Sequence, residues 1–108
     1  MSLAEMLRDD GHEVRDYEAP AYLPGLATLE NVAILITDYE MPGKDGVALA
    51  DEFHTHHPEV PVILVTAYRT QPLDAQVRNR PYLRLVQKPI DYVVVHALIH
   101  DACAAACP

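Results

Sequence analysis

Two short runs of branched apolar residues decide what this chain can fold into. Val32–Thr37 reads VAILIT and Val60–Thr66 reads VPVILVT. A strand wetted on one face would alternate apolar with polar residues. These runs do not alternate, so each reads as a strand covered on both faces. Helical spacing follows each of them. Asp45–His56 puts Val47, Leu49, Ala50 and Phe53 on one side, with Asp45 as N-cap. Residues 72–79 make a polar, poor helix. Tyr82–Gln87, YLRLVQ, alternates and suits an edge strand. Asp91–Ala106 carries Val95, Leu98, Ile99, Ala102, Cys103 and Ala106 at i, i+3, i+4, i+7, i+8 and i+11, a continuous apolar face. Buried strands alternating with helices imply βαβ units. The fold class is therefore α/β, a doubly wound, mostly parallel sheet with helices on both faces.

The N-terminal third is less regular. LAEMLRDD at 3–10 reads as the end of a helix closed by Gly11. His12–Tyr17 alternates weakly, as a short strand does. Leu23, Leu26, Ala27 and Leu29 have helical spacing within 19–30, against which Pro20, Pro24 and Gly25 count. No repeat or linker divides the 108 residues, so one domain over 1–108 is expected.

Charge excludes several functions. Sixteen Asp and Glu against eight Lys and Arg give a net charge near −8. Nucleic acid is not an expected partner, because such surfaces need clustered cations to displace counterions. An anionic membrane is excluded on the same ground. The longest apolar run is about five residues, too short to cross a bilayer. The N-terminus lacks the apolar core of a signal peptide, which makes the cytoplasm the expected location. Cys103 and Cys107 stand four apart on one helix, with Cβ atoms about 5–6 Å apart, too far for a disulfide. His54, His56 and His57 read as a solvated last helical turn. His96, His100, Cys103 and Cys107 share a stripe about 16 Å long, so one zinc ion cannot reach all four.

In such folds ligands bind beyond the C-terminal ends of the strands. The three best strands end at Thr37-Asp38, Val65-Thr66 and Gln87-Lys88, which brings a carboxylate, a hydroxyl and an ammonium to one rim. With these residues in place, the chain resembles the receiver domain of two-component response regulators. The likeness is carried by ILITDYEMPGKDG at 34–46, VPVILVTAY at 60–68 and LVQKP at 85–89. Asp38 and Thr66 are 28 residues apart, and Thr66 and Lys88 are 22 apart. It runs from about residue 3 to residue 106.

The resemblance implies a flavodoxin-like receiver fold and a non-enzymatic signalling module. Asp38 would be the phosphoacceptor, a carboxylate that forms an acyl phosphate. The implied partner is a sensor histidine kinase or a phosphotransfer protein. Lys88 would pair with Asp38 and then with the phosphoryl oxygens. Thr66 would hydrogen-bond a phosphoryl oxygen. Ala67 is small enough to admit a phosphodonor, Met41-Pro42-Gly43 makes the turn after the acceptor, and Gly46 lets the next helix approach. The bond before Pro89 is often cis in the family.

Two departures stand beside the likeness. Family members begin with a strand that ends in two adjacent acids, which help to hold Mg²⁺. This chain opens on Met1-Ser2-Leu3, already within the helix that follows, and Asp9 and Asp10 lie at that helix's wrong end. The receiver fold is thus truncated at the N-terminus, and Mg²⁺ is left with Asp38 and the backbone carbonyl of Glu40. Weak or absent Mg²⁺ binding is the expectation. Four strands are expected, with the central place vacant or filled from outside. The strand at 12–17 must pair with 32–37, detach, or meet another chain in a homodimer. A shortened chain or a misplaced start codon accounts for the gap equally well. The second departure is Leu85, which stands three residues before the lysine, where the family has Tyr or Phe. Switching at the signalling surface is expected to differ or weaken. The alternative function is a pseudo-receiver that is not phosphorylated and acts by interaction or dimerisation.

Overall fold

The computed structural model describes residues 3–15, 25, 32–40 and 45–106, with side chains as far as Asp101. Helices and strands alternate: α1 (Leu3–Asp9), β1 (Leu35–Asp38), α2 (Gly46–His56), β2 (Val62–Thr66), α3 (Gln71–Arg78), β3 (Leu83–Gln87) and α4 (Tyr92–Ala106). The three strands form one parallel sheet in the order β1-β2-β3.

All five residues of β2 are buried, and its alternation divides them between two cores. Val62 and Leu64 join Val47, Ala50 and Phe53 of α2, Leu73 of α3 and Leu83 of β3. Ile63 and Val65 face the other way, onto Leu7 of α1, Val86 of β3, and Val95 and Ile99 of α4. This two-sided burial is why the VPVILVT run has no polar alternation. β1 is shorter and less covered than VAILIT suggests. It spans Leu35–Asp38, with Leu35 and Ile36 half-buried, because among the described residues it pairs with β2 alone.

The helix starts follow their caps. The Asp45 carboxylate accepts the Ala48 N–H at 2.8 Å. Thr70 Oγ1 accepts the Leu73 N–H at 3.2 Å, which starts α3 one residue earlier than expected, with Pro72 in the first turn. Asp91 accepts the Val93 N–H at 2.9 Å before α4.

Two expectations need correction. His12–Arg15 is not a strand, so the described residues contain three strands and not four. α1 is closed just past its end by Gly11, whose φ is 91°, and the His12 N–H returns to the Leu7 carbonyl at 3.0 Å. Arg8 then donates to the Val14 carbonyl at 3.1 Å. Backbone that a strand would have paired is thereby engaged by α1, while Val14 still packs on the α1–α4 core. His54 and His57 are half-buried against aromatic rings, not fully solvated. His54 lies flat on Tyr82, with centroids 3.8 Å apart and planes at 9°, and His57 stacks on Phe53 at 4.6 Å. Only His56 of the three is exposed.

Asp16, Tyr17, the segment 19–30 apart from Gly25, the turn at Met41-Pro42-Gly43 and Cys107 lie outside the described residues, as does the Cys103 side chain. Among the described residues no helix is long and apolar enough to cross a membrane.

Candidate functional site

Parallel strands present their C-terminal ends on one side. Asp38 is the last residue of β1, Thr66 the last of β2, and Lys88 follows β3 directly. The register sets Asp38 beside Val65, and Thr66 beside Gln87, so the three ends are level to within a residue.

β1 and β3 flank β2, so the backbones of Asp38 and Lys88 stand two strand spacings apart, about 10 Å. Only a long side chain bridges that gap. Lys88 does so: its Nζ lies 3.3 Å from Asp38 Oδ1, with both side chains about half exposed. The Lys88 N–H donates to the Thr66 carbonyl at 2.8 Å, which fixes the backbone from which the lysine reaches. The Lys88–Pro89 peptide is cis, and Pro89 is exposed.

Thr66 is buried, with 1% exposure. Its hydroxyl donates to the Tyr68 carbonyl at 3.0 Å and accepts the Tyr68 N–H at 3.2 Å. In this arrangement the hydroxyl serves its own turn. Redirecting it to another acceptor exchanges one hydrogen bond for another, a small net change. Gln87 Nε2 donates to the Ala67 carbonyl at 3.4 Å, a second tie between the β2–α3 turn and β3. Ala67 is half-buried, and so is Leu85, which packs on the core beneath α2 and α3. Glu40 is exposed, two residues past Asp38.

Asp38 is held from below. The Tyr39 N–H donates to the Val65 carbonyl, and the Gly46 N–H to the Tyr39 carbonyl, each at 2.8 Å. A Cβ on Gly46 would lie 2.4 Å from the Asp38 carbonyl oxygen. Glycine is therefore required where α2 meets the acceptor strand.

The strongest electrostatic cluster lies elsewhere, at the N-terminal ends of the strands. Arg80 grips Asp51 with two hydrogen bonds, at 2.8 and 2.9 Å, and the Tyr82 hydroxyl donates to the same carboxylate. The Arg80 bonds hold Asp51 below the usual carboxylate range, and burial, with the Asp51 bond, pushes the Tyr82 phenol up. Sequence reasoning missed this clasp, because its members are 29 and 31 residues apart with no local pattern between them.

The resemblance also implies Mg²⁺. The described residues gather no group of three His, Cys, Asp or Glu side chains able to hold a metal ion. Asp38 already has the Lys88 ammonium as counter-ion. Asp10, one of the two acids of α1's end, is engaged by the Tyr92 hydroxyl and by His96 Nδ1 at 3.5 Å. The donors described do not fit a divalent site, and no step below runs through one.

Residues 1–100 match the family model described as response regulator receiver domain. The chain is similar to the response regulator protein FleR of Pseudomonas aeruginosa, 35% identical over 104 residues, which are 90% of this chain and 22% of that protein. Among solved structures it is similar to the receiver domain of NtrX from Brucella abortus, with TM-score 0.73, 25% identity, and coverage of 92% of this chain and 84% of that one. A CheY-like receiver domain protein from Methanospirillum hungatei aligns with TM-score 0.76 and 21% identity over 93% of this chain and 81% of that one, a likeness of fold. The fold is accordingly flavodoxin-like. The chain spans about a quarter of the length of the curated relatives it matches.

Proposed function

This chain belongs to the response regulator receiver domain family, and on that footing we propose that it is a phosphorylation-switched signalling module whose acceptor is Asp38. The phosphoryl donor is the phosphohistidine of a kinase or phosphotransfer protein. An Asp38 carboxylate oxygen attacks phosphorus and forms the new O–P bond. The N–P bond of the phosphohistidine breaks, and the imidazole leaves with a proton from solvent.

The observation that carries this reading is the Lys88 ammonium 3.3 Å from Asp38 at the rim. Beside the free carboxylate, the ammonium lowers its repulsion toward an incoming phosphoryl group. Once Asp38 has become an ester-like acyl phosphate, the same charge serves the phosphoryl oxygens. Thr66 then exchanges the Tyr68 carbonyl for a phosphoryl oxygen and draws the β2–α3 turn with it. A local change of charge thus biases a surface element. Leu85 offers no hydroxyl to this movement, so its coupling to β3 rests on packing alone.

The second reading, an unswitched interaction domain, is favoured by the thin donor set around Asp38. The two separate in one experiment. The chain is incubated with acetyl phosphate, with and without Mg²⁺, and followed by intact mass beside Asp38→Asn and Lys88→Ala. The expected result is slow addition of a single phosphoryl group, lost in Asp38→Asn and reduced in Lys88→Ala. No addition from acetyl phosphate or from a phosphorylated kinase would favour the interaction-only reading. Addition that survives Asp38→Asn would remove the assigned acceptor.

A further inference from the structure

The Thr66 hydroxyl is held by its own turn, and one peptide unit of that turn is held in its own right. The N–H of the Ala67–Tyr68 peptide donates to Thr66 Oγ1 at 3.2 Å, and the hydroxyl donates onward to the Tyr68 carbonyl at 3.0 Å. The carbonyl of the same peptide, that of Ala67, accepts from Gln87 Nε2 at 3.4 Å. In a trans peptide the N–H and the C=O lie in one plane and point in opposite directions. The Ala67–Tyr68 unit is therefore anchored on both sides, and it cannot rotate without giving up both bonds.

Gln87 reaches this carbonyl because of where β3 puts it. The register sets it beside Thr66. Alternation places it on the same face of the sheet as Leu83 and Leu85, which pack with Leu73 of α3. The turn that follows Thr66 leads into α3 on that face. Leu85 has no polar group to give the turn, whereas Gln87, one pleat further along, has a donor. Its side chain is exposed and makes this hydrogen bond alone among the described residues. The next residue, Lys88, holds Thr66 from the other side, through its N–H to the Thr66 carbonyl at 2.8 Å.

We infer that Gln87 is a positioning residue of the phosphoryl switch, a latch on the Ala67–Tyr68 peptide that keeps the Thr66 hydroxyl engaged with Tyr68 while Asp38 is free. The inference rests on the proposed function, because the latch acts on the movement of Thr66 toward a phosphoryl group on Asp38. When Thr66 leaves Tyr68 for a phosphoryl oxygen, the Tyr68 N–H loses its acceptor. The peptide finds a new acceptor only by turning, and turning breaks the Gln87 bond. The latch thus opposes the switched state by the worth of one exposed hydrogen bond. It sets how readily the unphosphorylated chain visits the receptive conformation.

The test uses Gln87→Met, which keeps the length of the side chain and removes its donor. The position is exposed, and an unchanged melting curve shows that the variant folds. Phosphoryl uptake from acetyl phosphate is followed by intact mass in wild type, Gln87→Met, Thr66→Ala and the double variant. Without the latch, uptake at Asp38 should be about threefold faster than in wild type, the worth of one exposed hydrogen bond. In the Thr66→Ala background the same substitution should change nothing, because no hydroxyl is left to hold. An unchanged rate in Gln87→Met overturns the inference. So does an equal gain in both backgrounds, which would mean that the side chain only shields Asp38. If wild type takes no phosphoryl group, the proposed function fails, and the latch is judged by hydrogen exchange of the Tyr68 amide. That exchange should be about threefold faster in Gln87→Met than in wild type. Equal exchange in the two overturns the latch.

Discussion

Replacing Gly46 with alanine adds one methyl group where α2 meets the end of β1. That carbon would lie 2.4 Å from the Asp38 carbonyl oxygen, 2.4 Å from Leu64 Cδ1 and 2.9 Å from Tyr39 Cα. Comfortable contacts begin near 3.5 Å, so the overlap approaches about 1 Å. Two of the three neighbours are backbone atoms, and Leu64 is fully buried with no room to turn. Relief requires α2 to move away from β1, which strains the bond from the Gly46 N–H to the Tyr39 carbonyl. Overpacking costs about 1–3 kcal/mol and a strained backbone bond about 1 kcal/mol. The helix preference for alanine returns at most about 1 kcal/mol. The net loss is about 1–3 kcal/mol, which for a domain of this size lowers Tm by roughly 5–20 °C. Gly11→Ala is the control. Its φ of 91° disfavours a side chain, but the space around it is open, so its loss is the backbone strain alone, about 1 kcal/mol. Thermal and urea unfolding of both variants measure the difference. If Gly46→Ala melts no lower than Gly11→Ala, the close approach is wrong, and so is the account of what holds Asp38 at the rim.

Asp51→Asn should lower stability by about 1 kcal/mol, the value of a partly exposed ion pair. Arg80 holds Asp51 below its ordinary 3.8, so this contribution is present above that pH and is lost as pH falls through the lower folded value. The gap in urea midpoint between wild type and variant should therefore be constant at neutral pH and close in acid. Tyr82 is one tyrosine expected to ionise late, and the hydrogen bond to Asp10 pushes the Tyr92 phenol up to about 12, so alkaline titration by ultraviolet absorbance should show it ionising late too. Asp10→Asn should return it toward 10.

What was legible in the sequence was what burial or a local cap dictates. β2 could be read because Val62 and Leu64 face one core while Ile63 and Val65 face the other. α2 could be read from Asp45, whose carboxylate accepts the N–H three residues on and so caps the eleven-residue helix that follows it. Asp38, Thr66 and Lys88 could be placed on one rim because parallel strands end on the same side. Where tertiary context decides, the sequence was silent. His12–Arg15 holds one apolar side chain, Val14, which packs as well from irregular backbone as from a strand. The stack of His54 on Tyr82 and the Asp51–Arg80–Tyr82 clasp depend on how α2 lies over the start of β3. The hold of Tyr68 on the Thr66 hydroxyl is made by backbone groups, which every residue carries.

The central claim is that Asp38 takes the phosphoryl group, and borohydride trapping tests it most directly. Borohydride reduces an acyl phosphate to an alcohol, so a phosphorylated aspartate becomes homoserine. The chain, labelled by a phosphorylated kinase or by acetyl phosphate, would be reduced, digested and sequenced by tandem mass spectrometry. Homoserine in place of Asp38, and at no other acid, is the result expected. Homoserine at Asp9 or Asp10 instead, hydroxynorvaline at Glu40, or no reduced residue in a chain that carries the label, would contradict the account.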